Sequence, residues 1–545
     1  MLLNTIDAND KTYRKPKRFF EDTGVVNPGS SYFAPLDNVT NTKNQEIQTM
    51  IDRGRYFSIF APRQSGKTTF IKEICRQLHG DPTYVAVLLS FQKYKNLDKT
   101  QFYQLVEKTM YSQLIDRLSE VKCEKSGTVK QFLDAHHLTD HISFSTLFEE
   151  LNHILRFKKI VIFIDEFDGI PLIELENFLS TLRDLYQAYK DVEQKALYSV
   201  GLIGIRNITK LVVGGVSPFN IADNIKLPPF SLKNVRELYT QYTEETNQPF
   251  TEDAVKKVYA ETNGQTWLVN RLGTILTVNI KPNTVEPIDE HDVDRAVQLL
   301  LSEKNSHFDN LYEKAKLYKE TFVEIVFDNV AYNPDDDDQS WLEQYGLIRQ
   351  KNEKAVAANN IYKARYIKTF FKEVNASGNF PLNEYELPGN RLDMARIILN
   401  FNHYIAQIGV KAFYEEKKTY EKTGQFLLTA FLYQFSGKEK GELHCELRTG
   451  LGIMDIILSY KSRKYIIETK VNRSGNYQSV LNEGVIQLTQ KYLSTEAVAD
   501  GYLVIFDTAT AVGTECKPKS RRKGNKKINI YIIGIGRSPA PQEHS

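Results

Sequence analysis

Hydrophobic and polar positions change their rhythm three times along the chain. Between about 30 and 225, short apolar runs alternate with amphipathic stretches: 55–60 (RYFSIF), 83–91 (TYVAVLLSF), 159–164 (KIVIFI), 198–205 (YSVGLIGI) and 211–214. Strands rich in Val, Ile and Leu on both faces, separated by helices, predict a parallel sheet covered on both sides. From 231 to about 300 the spacing is wholly helical. Residues 301–375 predict helices and then a short hairpin, with a helix ending over 342–348 and a wing over 349–357. The Gly, Pro and Asn of 376–400 predict the main linker, and 401–545 opens with helix and continues in strands. Residues 1–29 form a polar arm with a basic cluster at Arg14, Lys15, Lys17 and Arg18. No repeat with a period of 20–50 residues is visible.

The run 55–60 leads into Ala61-Pro62-Arg63-Gln64-Ser65-Gly66-Lys67-Thr68-Thr69 and then into the helical stretch FIKEICRQL. Strand, glycine-containing loop and helix in this order make a phosphate-binding loop. Its backbone N–H groups wrap phosphates, and the helix start adds the positive end of its dipole. Lys67 is expected on the β- and γ-phosphates, and Thr68 is expected to give its hydroxyl to Mg²⁺. Ala61 stands where the pattern has its first glycine, a mild departure because that position only ends the strand. A second component follows the apolar strand 160–164: Asp165, expected in the Mg²⁺ shell, and Glu166, expected to orient the attacking water. Both emerge at a carboxyl strand end, where ligands of open α/β sheets bind.

These features resemble the AAA+ ATPases, in particular the origin-recognition-like and STAND-like branch. The resemblance implies that 231–300 is a helical lid. It also implies that Arg206 or Asn207, after the fourth strand, senses the γ-phosphate, and that Arg271 is the sensor arginine of the lid. A lone helical arginine also serves commonly in surface ion pairs.

Near the C-terminus, 450–471 reads GLGIMDIILSYKSRKYIIETKV. With the turn at 461–464 as hairpin centre, Asp455 falls across from Lys470 and Ile457 across from Glu468. Alternation then gathers Asp455, Glu468 and Lys470 on one face. Two converging carboxylates favour a divalent, oxygen-liking metal, Mg²⁺ or Mn²⁺. The spacing resembles the PD-(D/E)XK nucleases, which implies Asp455 and Glu468 as metal ligands and Lys470 as the basic catalytic residue. Glu421, on an amphipathic helix upstream, or Glu446, on the preceding strand, is the further acid. Gln487 and Lys491-Tyr492 match positions that many members use on the following helix. The tract Lys517, Lys519, Arg521, Arg522, Lys523, Lys526, Lys527 reads either as a solvated loop or as a phosphate-binding rim. The four adjacent carboxylates of Asp335–Asp338 could bind a hard cation, but the run reads better as a solvated loop.

Composition narrows the function. The 545 residues suggest three or four domains. Seventy Lys and Arg against 68 Asp and Glu give a net charge of +2, which excludes a uniformly basic, histone-like protein but not a local basic groove. No apolar run reaches the ~20 residues of a membrane span. The first 20 residues lack the apolar core of a signal peptide. Four scattered cysteines without a CxxC pair fit a reducing cytoplasm better than a disulfide framework or a zinc ribbon.

The expected protein is therefore α/β and multidomain. An N-terminal arm (1–29) precedes a P-loop AAA+ ATPase core (30–230), a helical lid (231–300), a winged-helix-like domain (301–375), a linker (376–400) and a PD-(D/E)XK nuclease-like domain (401–545). It resembles bacterial proteins that join such an ATPase to such a nuclease. That implies an ATP- and Mg²⁺-dependent, homo-oligomeric protein acting on nucleic acid, chiefly DNA, in defence or mobile-element maintenance. The alternatives are a STAND-like switch with the nuclease as effector, and an ATP-dependent nucleic-acid-binding scaffold with an inactive nuclease fold. The helical lid and the two further domains disfavour a small-molecule kinase.

Overall fold

The computed structural model describes residues 12–155, 157–188, 197–205, 221–327, 330–366, 382–408, 420–432, 435, 441–449, 452–461, 463–473, 477–493 and 498–536. The chain divides into two compact units. Unit 1 comprises Met1–Tyr318, Asn333–Arg349 and Ala357–Ile361, and unit 2 comprises Lys319–Tyr332, Gln350–Val356 and Tyr362–Ser545.

Unit 1 is built on strands β1 (Thr40–Asn41), β2 (Phe57–Phe60), β3 (Tyr84–Ser90), β4 (Lys159–Asp165), β5 (Leu197–Gly204) and β6 (Asp223–Lys226), in the order β1-β6-β2-β5-β4-β3. All neighbours are parallel except β1 with β6. Helices α1 (Ile47–Asp52) and α2 (Lys67–Leu78) precede β3. Helices α3 (Lys99–Glu120), α4 (Ser126–Ala135) and α5 (His141–Ile154) precede β4, and α6 (Leu172–Ala188) follows it. Alternation sorts the strand side chains onto two buried faces. Tyr56, Val85, Val87, Ile162 and Ile164 pack with α3–α6, whereas Phe57, Ile59, Ala86, Val161 and Phe163 pack with α1 and α2. The expected strand 211–214 lies outside the described residues. Strand β6, absent from the sequence reading, has only Ile225 buried and so carries no apolar run to announce it.

The expected helical region is α7 (Leu232–Thr246), α8 (Glu252–Thr262), α9 (Thr266–Thr274), a π-helix at Ile275–Ile280 and α10 (Glu290–Ser302), followed by α11 (Ser306–Leu317). Ser231 and Asp289 close capping boxes, which fixes the starts of α7 and α10. Helix α12 (Lys319–Phe327) belongs to unit 2, and α13 (Asp337–Gln344) to unit 1. Within the acidic run, Asp336 caps α13 by accepting from the Gln339 N–H, and Asp337 and Asp338 occupy its first turn. The hairpin β7 (Ile348–Lys351) and β8 (Lys354–Ala357) follows where the wing is expected.

In unit 2, the stretch expected as linker is partly structured. It carries β9 (Glu386–Leu387), β10 (Arg391–Leu392) and the first turns of α14 (Met394–Ile408). Tyr385, Leu392, Met394, Ile397 and Ile398 are buried in the core, which is why this segment is not a free spacer. Helix α15 (Tyr420–Leu432) leads to a second six-stranded sheet: β11 (Gly441–Thr449), β12 (Gly452–Tyr460), β13 (Arg463–Asn472), β14 (Asp500–Ala511), β15 (Lys519–Lys523) and β16 (Lys526–Gly536). Its order is β11-β12-β13-β14-β16-β15, parallel across β13-β14-β16 and antiparallel elsewhere. One face packs with α14 and α15 through Ile456, Ile467, Val504 and Phe506. The other packs with α16 (Tyr477–Ile486) and a π-helix at Gln487–Tyr492 through Ile457, Ile466, Leu488 and Leu503.

The β12–β13 register corrects the expected one. Tyr460 pairs with Arg463 and Ile457 with Ile466, not with Glu468. The tighter turn, with Lys461 in the left-handed region at φ 42°, shifts the pairing by two residues. A shift of two keeps every side chain on its face, so the expected grouping of 455, 468 and 470 survives at the level of the backbone.

Candidate active sites

The P-loop joins β2 to α2. Gly66 caps α2 at φ 84°, a left-handed conformation that glycine adopts at no steric cost, and Gln64 is also left-handed at φ 56°. The Ser65 hydroxyl donates to the Pro62 carbonyl at 2.8 Å. Lys67 is buried, and its ammonium donates to the carbonyls of Ala61 (2.8 Å) and Pro62 (2.6 Å), so the cation lies inside the loop's own curve. Burial pushes the Lys67 ammonium down to about 8, against the opposing pull of Glu166, Asp165 and Asp168. Arg63 is exposed, and Thr69 accepts from the Val26 N–H at 3.3 Å.

Strand β5 lies between β2 and β4, which places the P-loop and the acidic strand end one strand apart. The Thr68 hydroxyl donates to Asp165 Oδ2 at 2.6 Å, and Asp165 Oδ1 accepts from the Glu166 N–H at 2.9 Å. Glu166 turns out of the strand at φ 52°. Burial, and then the neighbouring Asp165 charge, raise its carboxyl above the ordinary range, while Lys67 and Arg63 pull it back. Asp168, which the sequence reading did not single out, accepts from the Ile205 N–H at 2.6 Å and ties the end of β5 to the acidic turn. Arg206 and Asn207, the expected sensors, lie outside the described residues.

The helical region contributes α9. The Gln265 amide and the Thr266 hydroxyl both donate to the Gln64 carbonyl, at 3.1 and 2.9 Å. Arg271 bridges Asp22 (2.9 Å) and Glu303 (2.5 Å), and these partners raise its pKa further. A cavity of about 420 Å³ lies beside the loop, bounded by Gly66, Thr69, Phe70, Phe230 and Trp267. Gln344, at the end of α13, donates to the Ile205 carbonyl at 2.5 Å. Gln265, Thr266 and Gln344 were missed because their importance is a matter of packing. Only the Asn263-Gly264 turn before α9 hinted at a helix start.

In unit 2, Glu468 is 1% exposed on β13, and Lys470 Nζ lies 3.0 Å from its Oε1 and 3.6 Å from Glu483 Oε1 on α16. Glu483 was not anticipated. The pairs Cys445–Ile456 and Leu447–Met454 bracket Glu446 opposite Asp455, and the step beyond Ile456–Ile467 brings Asp455 beside Glu468. Three acidic positions thus occupy neighbouring rungs of β11, β12 and β13. The side chains of Glu421, Glu446, Asp455 and Lys491 lie outside the described residues. Among the described residues, no three His, Cys, Asp or Glu side chains converge on a metal position. The Gln487 Oε1 is buried and has no hydrogen-bond partner among the described residues. Lys519, Arg521, Arg522 and Lys523 form β15, a fully exposed edge strand rather than a loop. Arg521 donates to Asn482 Oδ1 at 3.3 Å, and Lys519 lies over the Tyr477 ring, which joins the basic edge to α16.

No helix among the described residues is long and apolar enough to cross a membrane. No curated protein matches the chain. Many solved structures match the chain, among them the following three. The Walker-type ATPase of Pyrococcus abyssi is 12% identical, with a TM-score of 0.43 over 61% of this chain and 98% of that one. The Thermotoga maritima RuvB Holliday junction branch migration motor is 12% identical, with a TM-score of 0.31 over 58% and 90%. The Aeropyrum pernix Orc1 protein, solved in complex with DNA, is 12% identical, with a TM-score of 0.28 over 62% and 95%. Residues 392–510 match a family described as a domain of unknown function. Residues 24–369, more than half of the chain, match the family described as an AAA-like domain. That span contains the P-loop, the Asp165-Glu166 strand end and the helices that meet them, and the chain belongs to the AAA-like domain family.

Proposed function

We propose that the protein hydrolyses ATP in unit 1 and uses the nucleotide state to control a metal-dependent PD-(D/E)XK nuclease domain in unit 2. The observation that carries the ATPase half is the 2.6 Å bond between Thr68 of the P-loop and Asp165 of the acidic strand. It brings together two oxygen donors suited to a Mg²⁺ shell, within the reach of Lys67. Mg²⁺ there supplies Lewis-acid charge to the phosphates. Lys67 exchanges its carbonyl partners for phosphate oxygens, the P-loop N–H groups hold the remainder, and Glu166 accepts a proton from the attacking water. Its raised pKa suits a base of this kind. Arg206 and Arg271 are the proposed phosphate sensors. Arg271 reaches nucleotide only by giving up its pairs with Asp22 and Glu303.

Support for the nuclease half is the buried Glu468–Lys470 pair, in register with Asp455 and Glu446 on one sheet face. Several carboxylates on neighbouring positions of one face suit a divalent, oxygen-liking ion. Asp455 and Glu468, with Glu421 or Glu446 completing the set, would hold Mg²⁺ or Mn²⁺, which would supply positive charge at a scissile phosphate. Lys470 positions the attacking water. Gln487, Lys491 and the β15 edge bind the nucleic-acid backbone. The substrate is DNA, the assembly is a cytoplasmic homo-oligomer, and 301–375 is a winged-helix-like domain.

The test is incubation of the purified chain with plasmid, linear and single-stranded DNA, with and without ATP, in Mg²⁺ or Mn²⁺. Metal-dependent cleavage that responds to ATP is expected. ATP turnover without cleavage of any nucleic acid leaves a scaffold with an inactive nuclease fold. The Gln344–Ile205 bond favours a second reading, a STAND-like switch, because it ties α13 to the strand end beside the P-loop. Turnover below about one per minute, unstimulated by DNA, against the ~10 per second of ordinary enzymes, identifies the switch.

A further inference from the structure

We propose that Asn270 reads the nucleotide base, its Oδ1 accepting a hydrogen bond from the exocyclic amino group of adenine. This rests on the nucleotide-site reading above. Triphosphates held by the loop direct the nucleoside past Thr69, into the cavity that Gly66 and Thr69 border. At about 420 Å³, with Val26, Val39, Phe70, Ile74 and Trp267 in its wall, this cavity has the size and apolar lining of a small-molecule site. Asn270 is in the same wall, on α9, and is only 5% exposed.

The polar groups around Asn270 on α9 are satisfied within the protein. Thr266 Oγ1 and Gln265 Nε2 donate to the Gln64 carbonyl, and Trp267 Nε1 donates to the Asp22 carbonyl. Asn270 Nδ2 donates to the Thr266 carbonyl at 2.9 Å. That bond orients the amide, because a carbonyl needs a donor opposite it, and Oδ1 is the atom left over. It has no hydrogen-bond partner among the described residues. Buried acceptors without donors are costly and uncommon, and a ligand N–H on the cavity side completes this one. The oxygen is closed to water on the cavity side as well as toward bulk solvent, so the base reaches it only when side chains of the cavity wall move aside, as commonly accompanies binding. Adenine presents an amino group at position 6. Guanine presents a carbonyl there, and two acceptors face to face repel.

The experiment measures the affinity of the full chain for ATP, GTP and purine riboside 5′-triphosphate, which lacks the 6-amino group, by calorimetry. The native protein is expected to bind ATP about tenfold more tightly than either competitor, the scale of one buried hydrogen bond. Asn270→Leu should bring ATP down to the level of purine riboside triphosphate and leave that ligand's affinity unchanged. Equal affinities of the native protein for ATP and purine riboside triphosphate overturn the assignment, even if Asn270→Leu fails to fold. An unchanged ratio in a folded Asn270→Leu overturns it as well. Failure of the nucleotide-site reading looks different: no triphosphate binds, or Lys67→Ala binds all three as the native protein does.

Discussion

Lys67 answers to two opposed demands, and pH separates them. Burial holds its pKa at about 8, below the ordinary 10.5. Between these values the unfolded chain binds a proton that the folded one has lost, so this residue's contribution to stability improves as pH rises from about 8 to 10.5. Nucleotide binding runs the other way, since phosphates need the ammonium form. ATP affinity measured by calorimetry should fall about 30-fold between pH 7 and 9.5, because the protonated fraction of a group with pKa about 8 falls tenfold for each pH unit above it. An affinity that does not change over this range means that Lys67 does not contact the phosphates. At Glu166 the carboxylate matters and the volume does not. Glu166→Gln should keep ATP binding within about twofold and lower turnover about 100-fold or more, the typical share of a general base. Turnover at the native rate reassigns the water-orienting role. Lys67, Asp165 and Glu166 were all legible in the sequence, because each follows a short, strongly patterned strand. Asn270 and Asp168 were not, because an isolated Asn or Asp on a helix or turn reads like any polar residue until its partners are known.

At the scale of elements, the start of α9 depends on one glycine. Gly264 has φ 73°, and a Cβ there would stand 1.9 Å from the Phe230 carbonyl oxygen. Gly264→Ala must therefore displace α9 from the Gln64 carbonyl that Gln265 and Thr266 hold. The variant should lose about 1–3 kcal/mol of stability and bind ATP more weakly. Urea denaturation with a parallel ATP titration checks both, and a loss of stability with native ATP affinity separates α9 from the nucleotide site. The helices were readable because their caps are local, as at Ser231 and Asp289. Strand β6 was not, since Ile225 is the one buried residue in its sequence DNIK and no apolar run marks it. The β12–β13 register was misjudged by two residues. Lys461 takes a left-handed conformation without the Asn-Gly signature that announces a tight hairpin turn.

At the scale of the whole molecule, the two proposed chemistries occupy different units. Effects at separated, independent sites usually add. In the full chain, Lys470→Ala should reduce metal-dependent cleavage about 100-fold or more and leave ATP turnover within about twofold. Parallel cleavage and phosphate-release assays decide it, and a comparable loss in both shows that the sites act as one. What the sequence determined by itself is whatever depends on neighbours in the chain: the P-loop between strand and helix, the acids ending a buried strand, the helical region after 231, and the single face shared by positions 455, 468 and 470. Each follows from the period of strand or helix and from backbone preferences, which act over a few residues. Tertiary structure alone decided which distant residues meet. Thr68 touches Asp165, Thr266 lies on Gln64, Glu483 approaches Lys470, and Asn270 borders the cavity beside the loop. Those contacts arise from packing between elements far apart in sequence, where the pattern along any one segment carries no information about its partner.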